Sequence, residues 1–219
     1  MSRTRNYFSG PFLFTEKEKR MNTHVSDIAF TPAVKTQQER FGSRAGYASM
    51  EERGGWQDKV TSDLKGFIAE RDSIYLATTG SEGYPYIQHR GGEKGFLKVL
   101  DEKTLAFADF SGNRQYITIG NVSENNRAFI FLMDYENQRR VKVWGRVRIV
   151  EDDASLTAQV ASSNDRVERV VVFTVEAWDV NCPKHIPRRY THEQVQALTE
   201  EINRLKEENR LLKQEVVVP

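Results

Sequence analysis

Residues 140–150, RVKVWGRVRIV, set Val141, Val143, Val147 and Ile149 against Lys142, Arg146 and Arg148 in alternation. A period of two marks a β-strand with one face in a core and the other in water. Trp144, on the charged side, is the exception. Outward from this stretch, SIYLATT at 73–79, TLAFADF at 104–110, RAFIFLM at 127–133 and RVVVFTV at 169–175 are further β-rich runs bounded by turn-forming clusters. GSEG at 80–83 joins the first of these to YPYIQHR, and LDEK at 100–103 is a second tight turn. Such short links imply antiparallel pairing. Five or six strands follow, with short helical insertions. Closing them as a small barrel removes the edges that would otherwise aggregate. The expected class is therefore mainly β with flanking helices, an α+β chain built on a six-stranded antiparallel barrel.

The flanks are more polar. Residues 1–30 have no periodicity and read as a flexible leader, with Met21 after the charged run Glu16–Arg20 as a candidate start. TPAVKTQQERFGSRAGYASMEER, 31–53, has a capping Thr31 before Pro32 and reads as two short helices. A third helix begins near Thr61 or Ser62, presents Leu64, Phe67 and Ile68 on one face and ends before Arg71. The expected organisation is a leader over 1–30, helices over 31–72, the barrel over 73–190 and a C-terminal helix over 191–219.

Composition narrows the function. The chain has 219 residues, with 32 Lys and Arg against 31 Asp and Glu, so its formal charge of +1 provides no global field for nucleic acid or an anionic membrane. No apolar run approaches the ~18 residues of a membrane span, and Phe12–Phe14 is too short for a signal-peptide core. A cytoplasmic location is expected. One cysteine, Cys182, excludes an intrachain disulfide framework, and the four histidines, 24, 89, 185 and 192, show no metal-ligand spacing, so no metal is expected.

SGNRQYITIGN, 111–121, departs from strand grammar and reads as a turn followed by a helix from Asn113 to Ile119. Its N-terminus would turn free amides, the positive dipole end and Arg114 toward one point, an anion site; a solvated arginine at a helix start is the competing reading.

From Thr191 onward the apolar positions are Leu198, Ile202, Leu205, Leu212 and Val216, spaced four, three, seven and four. With Leu198, Leu205 and Leu212 at d and Ile202, Asn209 and Val216 at a, the pattern is that of a parallel two-stranded coil whose asparagine fixes register. Glu201 and Glu208 then occupy g, and Lys206 and Lys213 occupy the following e positions, so both interchain pairs attract. The competing reading is a helix docked on its own barrel, because fewer than three heptads is short for an autonomous coil.

Taken together, PYIQHRGGEKGFLKVLDEKTLAFADFSGNRQYITIGN (85–121), NNRAFIFLMDY (125–135), RRVKVWGRVRIVE (139–151) and AWDVNCPKHIPRRY (177–190) resemble the pyridoxamine 5′-phosphate oxidase-like, FMN-binding split-barrel family. The similarity covers about residues 60–190 and points to bacterial members with QHRGG, FADFxGNRQY and WDxNCPxHI blocks. It implies a six-stranded split barrel, a homodimer and FMN in grooves between the subunits. By resemblance, Gln88, His89 and Arg90 lie on the strand beneath the flavin, Ala108 and Asp109 follow the ring edge, and Arg114 with Gln115 occupy the basic pair at the phosphate. Gln115 stands where the family often has lysine, so a second phosphate charge is expected from Arg90 or Lys98. Arg140 falls where the family usually has a glutamine from the second subunit. Trp178 and Arg188, or Arg189 in the neighbouring register, match a tryptophan and an arginine that reach the ring.

The residue types agree with this implication. A phosphate needs guanidinium groups and free amides, and a flat ring needs apolar walls with a few hydrogen bonds. Arg90, Arg114 and Trp178 supply those types, although a tryptophan alone is more commonly a core residue. His89 and His185 are candidate acids or phosphate donors, most histidines being structural, and Cys182 reads as a packed thiol. The Arg-x-His element and the helical Tyr, Arg and Ser set of the true oxidases have no counterpart, Lys184, His185 and the polar connection 155–166 standing there instead. Oxidation of vitamin B6 phosphates is therefore not expected. The resemblance implies an FMN-dependent oxidoreductase with an unassigned catalytic residue, acting on a small molecule or a reduced nicotinamide. The alternative is a sensor, storage or stress protein that binds flavin or haem without turnover. A deazaflavin is a further ligand compatible with the pattern.

Overall fold

The computed structural model describes residues 24–161 and 166–215. Most of the expected leader, with Met21, lies outside them, as do residues 162–165 of the polar connection and the a-position Val216. Seven strands form one antiparallel sheet: β1 Ser73–Thr79, β2 Pro85–Gly91, β3 Lys98–Val99, β4 Thr104–Phe110, β5 Arg127–Asp134, β6 Arg139–Val150 and β7 Val167–Val180. Their order is β2-β1-β5-β6-β7-β4-β3. The expected count of six is corrected by β3, two residues paired with Leu105 and Ala106 across the Asp101 turn and too short to show a period. β2 and β3 stand at the two ends of the order yet are joined by residues 92–97 alone, so the sheet must curl until its ends approach. Hydrogen bonding does not run full circle among the described residues. The barrel is split, and side chains rather than a strand ladder span the gap.

β6 carries the alternation that the sequence shows. Val141, Val143 and Val147 are buried in a core with Leu64, Ile74, Leu76, Ile130 and Phe173. Trp144, on the opposite face, has its own partner: its ring stacks on Trp56 at 4.6 Å and meets Phe129 edge-on at 5.0 Å, with Lys142 over both indoles. The helices before the barrel, with the loop that carries Trp56, thus cover an outward-facing aromatic. They are α1 Pro32–Arg40, α2 Arg44–Glu52 and α3 Ser62–Ala69, and the Thr31 and Thr61 hydroxyls accept the Val34 and Leu64 amide protons at the starts of α1 and α3. Residues 24–30, placed by sequence in the leader, differ from that expectation. They form a 3-10 turn at Val25–Ile28, with Ser26 buried and donating to Glu51 at 3.0 Å, while Phe30 packs against Tyr47 and Trp56.

Two further differences concern connections. The helix expected at 113–119 is α4, Ile117–Glu124, and begins later because Arg114 and Tyr116 have left-handed backbone (φ 59° and 55°) that no α-helix tolerates. The polar connection after β6 contains α5, Ala154–Val160, capped by Asp153, with Leu156 and Val160 buried against Ala106, Val170 and Val172.

The last helix, α6 His192–Glu215, does not dock on the barrel by its apolar stripe. Leu198, Ile202, Leu205 and Leu212 remain 42–61% exposed, and the helix is tied near its start by Gln194 donating to Glu136 at 2.7 Å.

The β5–β6 hairpin buries a carboxylate with a pH signature. Burial alone would raise the Asp134 pKa, but two Asn137 N–H donors at 3.0–3.2 Å, with Arg71 and Arg139, outweigh it and leave the group below the ordinary aspartate range. A depressed pKa contributes stability that is present above the unfolded value, about 4, and is lost as pH falls through the folded value. Asp134→Asn is expected to lower the unfolding temperature at pH 7, with the gap from wild type closing below about pH 4. Thermal unfolding from pH 3 to 7 tests this; a gap that stays constant with pH would exclude the charge as its source.

Candidate functional site

The split between β2 and β4 frames a cavity of about 240 Å³. β2 turns Tyr86, Gln88 and Arg90 to the half-buried side, where they line it, and Ile87 and His89 to the exposed side. This is the two-residue period of a strand. Facing them are Asp109 and Phe110 at the end of β4, the loop 112–116, the first turn of α4, and Glu168 and Arg169 at the start of β7. Thr118 donates to the Gln88 side-chain carbonyl at 2.9 Å and fixes that amide against α4.

Asp109, nearly buried, is the centre of the charge pattern. The Arg90 guanidinium reaches it across the split at 2.8 Å. Arg169, its direct cross-strand partner in the β4–β7 ladder, lies at 3.4 Å and also pairs with Glu168 at 3.0 Å and Glu151 at 2.9 Å. Arg169 further lies over the Tyr116 ring, 5.4 Å from its centroid, and the Tyr116 hydroxyl accepts from Arg114 Nε at 3.2 Å. Three guanidiniums therefore face two carboxylates in the lining, an excess of one positive charge.

The cavity suits a compact anion on three grounds. Arg90 Nε is buried and has no hydrogen-bond partner among the described residues, a donor that burial makes costly unless a ligand accepts it. The first-turn amides of α4 have no acceptor within the helix, and residues 117–119 line the cavity. The left-handed backbone at two non-glycine residues costs about 1–2 kcal/mol each, a strain that clusters at ligand clamps.

The structure brings Gln88, Arg90, Asp109, Arg114 and Gln115 together here, but not the other sequence candidates. His89 is on the far face of β2, beside Tyr75 at 5.8 Å between ring centroids. Ala108 packs against the cluster that α5 makes with Ala106, Val170 and Val172, and Lys98 sits on β3 outside the lining. Arg140, Trp178 and Arg188 lie around the start of β6 and the end of β7, where Trp178 is about 30 Å along the strand from Arg169 at ~3.3 Å per residue. There the Asn181 amide donates to the Arg140 carbonyl and Arg188 donates to the Gln138 side chain at 3.3 Å. Arg140 Nε is a second buried donor without a partner among the described residues. Trp178 is held in place, its indole N–H donating to the Lys59 carbonyl at 2.7 Å and its backbone pairing with Gln57. Arg189 lies over Tyr135, and Cys182 is exposed. Arg169, Tyr116 and Thr118 are missed by sequence reasoning. Four consecutive buried residues, Val170–Phe173, follow Arg169, so a period-two reading assigns it no face.

A split antiparallel barrel with an arginine-lined cleft at its seam defines the class. The family model of pyridoxamine 5′-phosphate oxidase matches residues 60–182, more than half of the chain, and the chain belongs to that family. No curated protein matches it in sequence. Among solved structures it is similar to HupZ of Group A Streptococcus at 20% identity and TM-score 0.47, covering 59% of this chain and 98% of that one. It is also similar to an FMN-binding protein of Syntrophomonas wolfei (13%, TM-score 0.47, 66% and 97%). A third is a Clostridium acetobutylicum protein related to general stress protein 26 (16%, TM-score 0.42, 61% and 94%). No described helix is long and apolar enough to cross a membrane.

Proposed function

We propose that this chain is an FMN-dependent oxidoreductase that works as a homodimer on a small molecule or a reduced nicotinamide. The observation that carries the reading is the cavity at the split, where Arg90 and Arg114 meet the open first turn of α4 around a space of about 240 Å³. Family membership adds to it. Arg90 and Arg114 would hold the phosphate, Gln115 would add a neutral donor, and Gln88, with the Asp109 and Ala108 backbone, would border the ribityl chain and ring edge. When bound, the flavin ring supplies the redox chemistry. The protein binds and orients it and excludes water from the seam.

The placement of Arg140, Trp178 and Arg188 at the far end of β7 from this cavity supports two chains per site. An outward apolar row, Ile87, Ala77 and Phe129 across β2, β1 and β5, with Ile87 65% exposed, offers a face for the second copy. The exposed stripe of α6 would pair as the parallel coil.

A second reading, flavin or haem binding without turnover, is favoured by two features: Asp109 is held between two guanidiniums, and His89 faces away. The purified protein is expected to show flavin absorption, with FMN identified by mass in the released ligand. Anaerobic NADH or NADPH is expected to bleach it. A flavin that stays oxidised selects the second reading, and no calorimetric binding of FMN would overturn the first.

A further inference from the structure

We propose that Arg169 is a third cation of the phosphate subsite, beside Arg90 and Arg114, and that Asp109 is the counter-ion it shares with Arg90. This rests on the flavin-phosphate reading above. Arg169 lines the same cavity as Arg90 and Arg114, whereas Lys98 does not. It arrives from β7, directly opposite Asp109 in the ladder, so the two side chains share a face by geometry.

The guanidinium is also preorganised. Its Nε is taken by Glu151 and its Nη1 by Asp109 and Glu168, while the Tyr116 ring covers its plane. Nη2 makes no hydrogen bond among the described residues and would donate to a phosphate oxygen. A planar fork held at two corners loses little rotamer freedom when the third engages a ligand. Asp109 has the opposite effect on affinity. It keeps Arg90 and Arg169 in position in the empty cleft but cancels part of the charge a dianion would meet.

The test is titration of the full-length protein with FMN and with riboflavin, which differ only in the phosphate. Wild type is expected to prefer FMN. Arg169→Gln is expected to weaken FMN about 10- to 100-fold and riboflavin less than about twofold, the loss of one charge-assisted contact. Arg169→Lys, which keeps a cation and serves if the glutamine variant unfolds, is expected to lose about tenfold for FMN alone. Asp109→Asn is expected to raise FMN affinity several-fold and leave riboflavin unchanged. Equal losses for both ligands in the Arg169 variants would make the residue structural and overturn the proposal, as would unchanged FMN binding. A wild type that binds both flavins alike removes the phosphate subsite; one that binds neither overturns the flavin reading itself.

Discussion

Gly145→Ala is expected to destabilise the protein by about 3 kcal/mol or more, lowering the unfolding temperature by about 6–12 °C for a chain of this size. The reason is space, since a methyl group here would overlap the Thr174 carbonyl oxygen and come within 2.5–2.8 Å of the Phe173 ring. Neither neighbour can yield. The carbonyl belongs to the β6–β7 ladder, and Phe173 is fully buried in the main core. At this point the register slips: Trp144 faces Ala177 while Gly145 faces Val175, leaving Glu176 as the extra residue of a bulge. The bulge lets two long strands bend around the barrel, and glycine permits the close approach that the bend requires. Gly120→Ala, in α4 with nothing within 4 Å of the added methyl, is the control and is expected to be neutral or stabilising by up to about 1 kcal/mol. Thermal unfolding of the two variants side by side decides the matter. A Gly145 shift below about 2 °C would show that the strands can part without cost.

That bulge is a fair measure of what the chain discloses before it folds. The alternation in 140–150 is local, so the strand and its buried valines are legible, and the same holds for the hairpins at 80–83 and 100–103, whose turns lie in a few adjacent residues. The Trp144 exception is also visible, but its explanation is not, because Trp56 is distant in sequence and reaches it only through the tertiary fold. The site divides in the same way. Arg114 and Gln115 are legible as the start of a helix after a turn, but the left-handed backbone leaves them in the loop and moves the helix to 117. Gln88, His89 and Arg90 look equivalent in a string of letters, and only strand geometry sends the middle one to the other face. Arg169 is hidden most deeply: its role comes from a partner 60 residues earlier in the chain, with no local pattern to announce it. Trp178 has the right identity and place in its block, yet its indole N–H is already engaged by Lys59, 119 residues away.

Leu205→Asp is expected to weaken α6 pairing by about a thousandfold or more. In a parallel coil Leu205 is a d residue, and the substitution changes both strands at once, each losing the ~2–3 kcal/mol of a buried leucine and gaining a charge in the seam. Within one chain nothing offsets that burial, since Leu205 is 42% exposed and α6 makes its own ion pairs between Glu201 and Arg204 and between Glu207 and Arg210. Because a dimer formed through the barrels would keep two chains together whatever α6 does, hydrodynamic mass is a poor readout, and proximity along the helix is a better one. On a Cys182→Ser background, Asn209→Cys places thiols at an a layer, where a parallel, in-register pair brings them face to face within reach of a disulfide. Glu207→Cys, at the outer f position, is the control. Mild oxidation is expected to cross-link the first and not the second, and adding Leu205→Asp to the first is expected to abolish the cross-link. Equal cross-linking at 207 and 209 would mean random collision. None at 209 would mean an antiparallel pair or none, leaving the exposed leucines for a different partner.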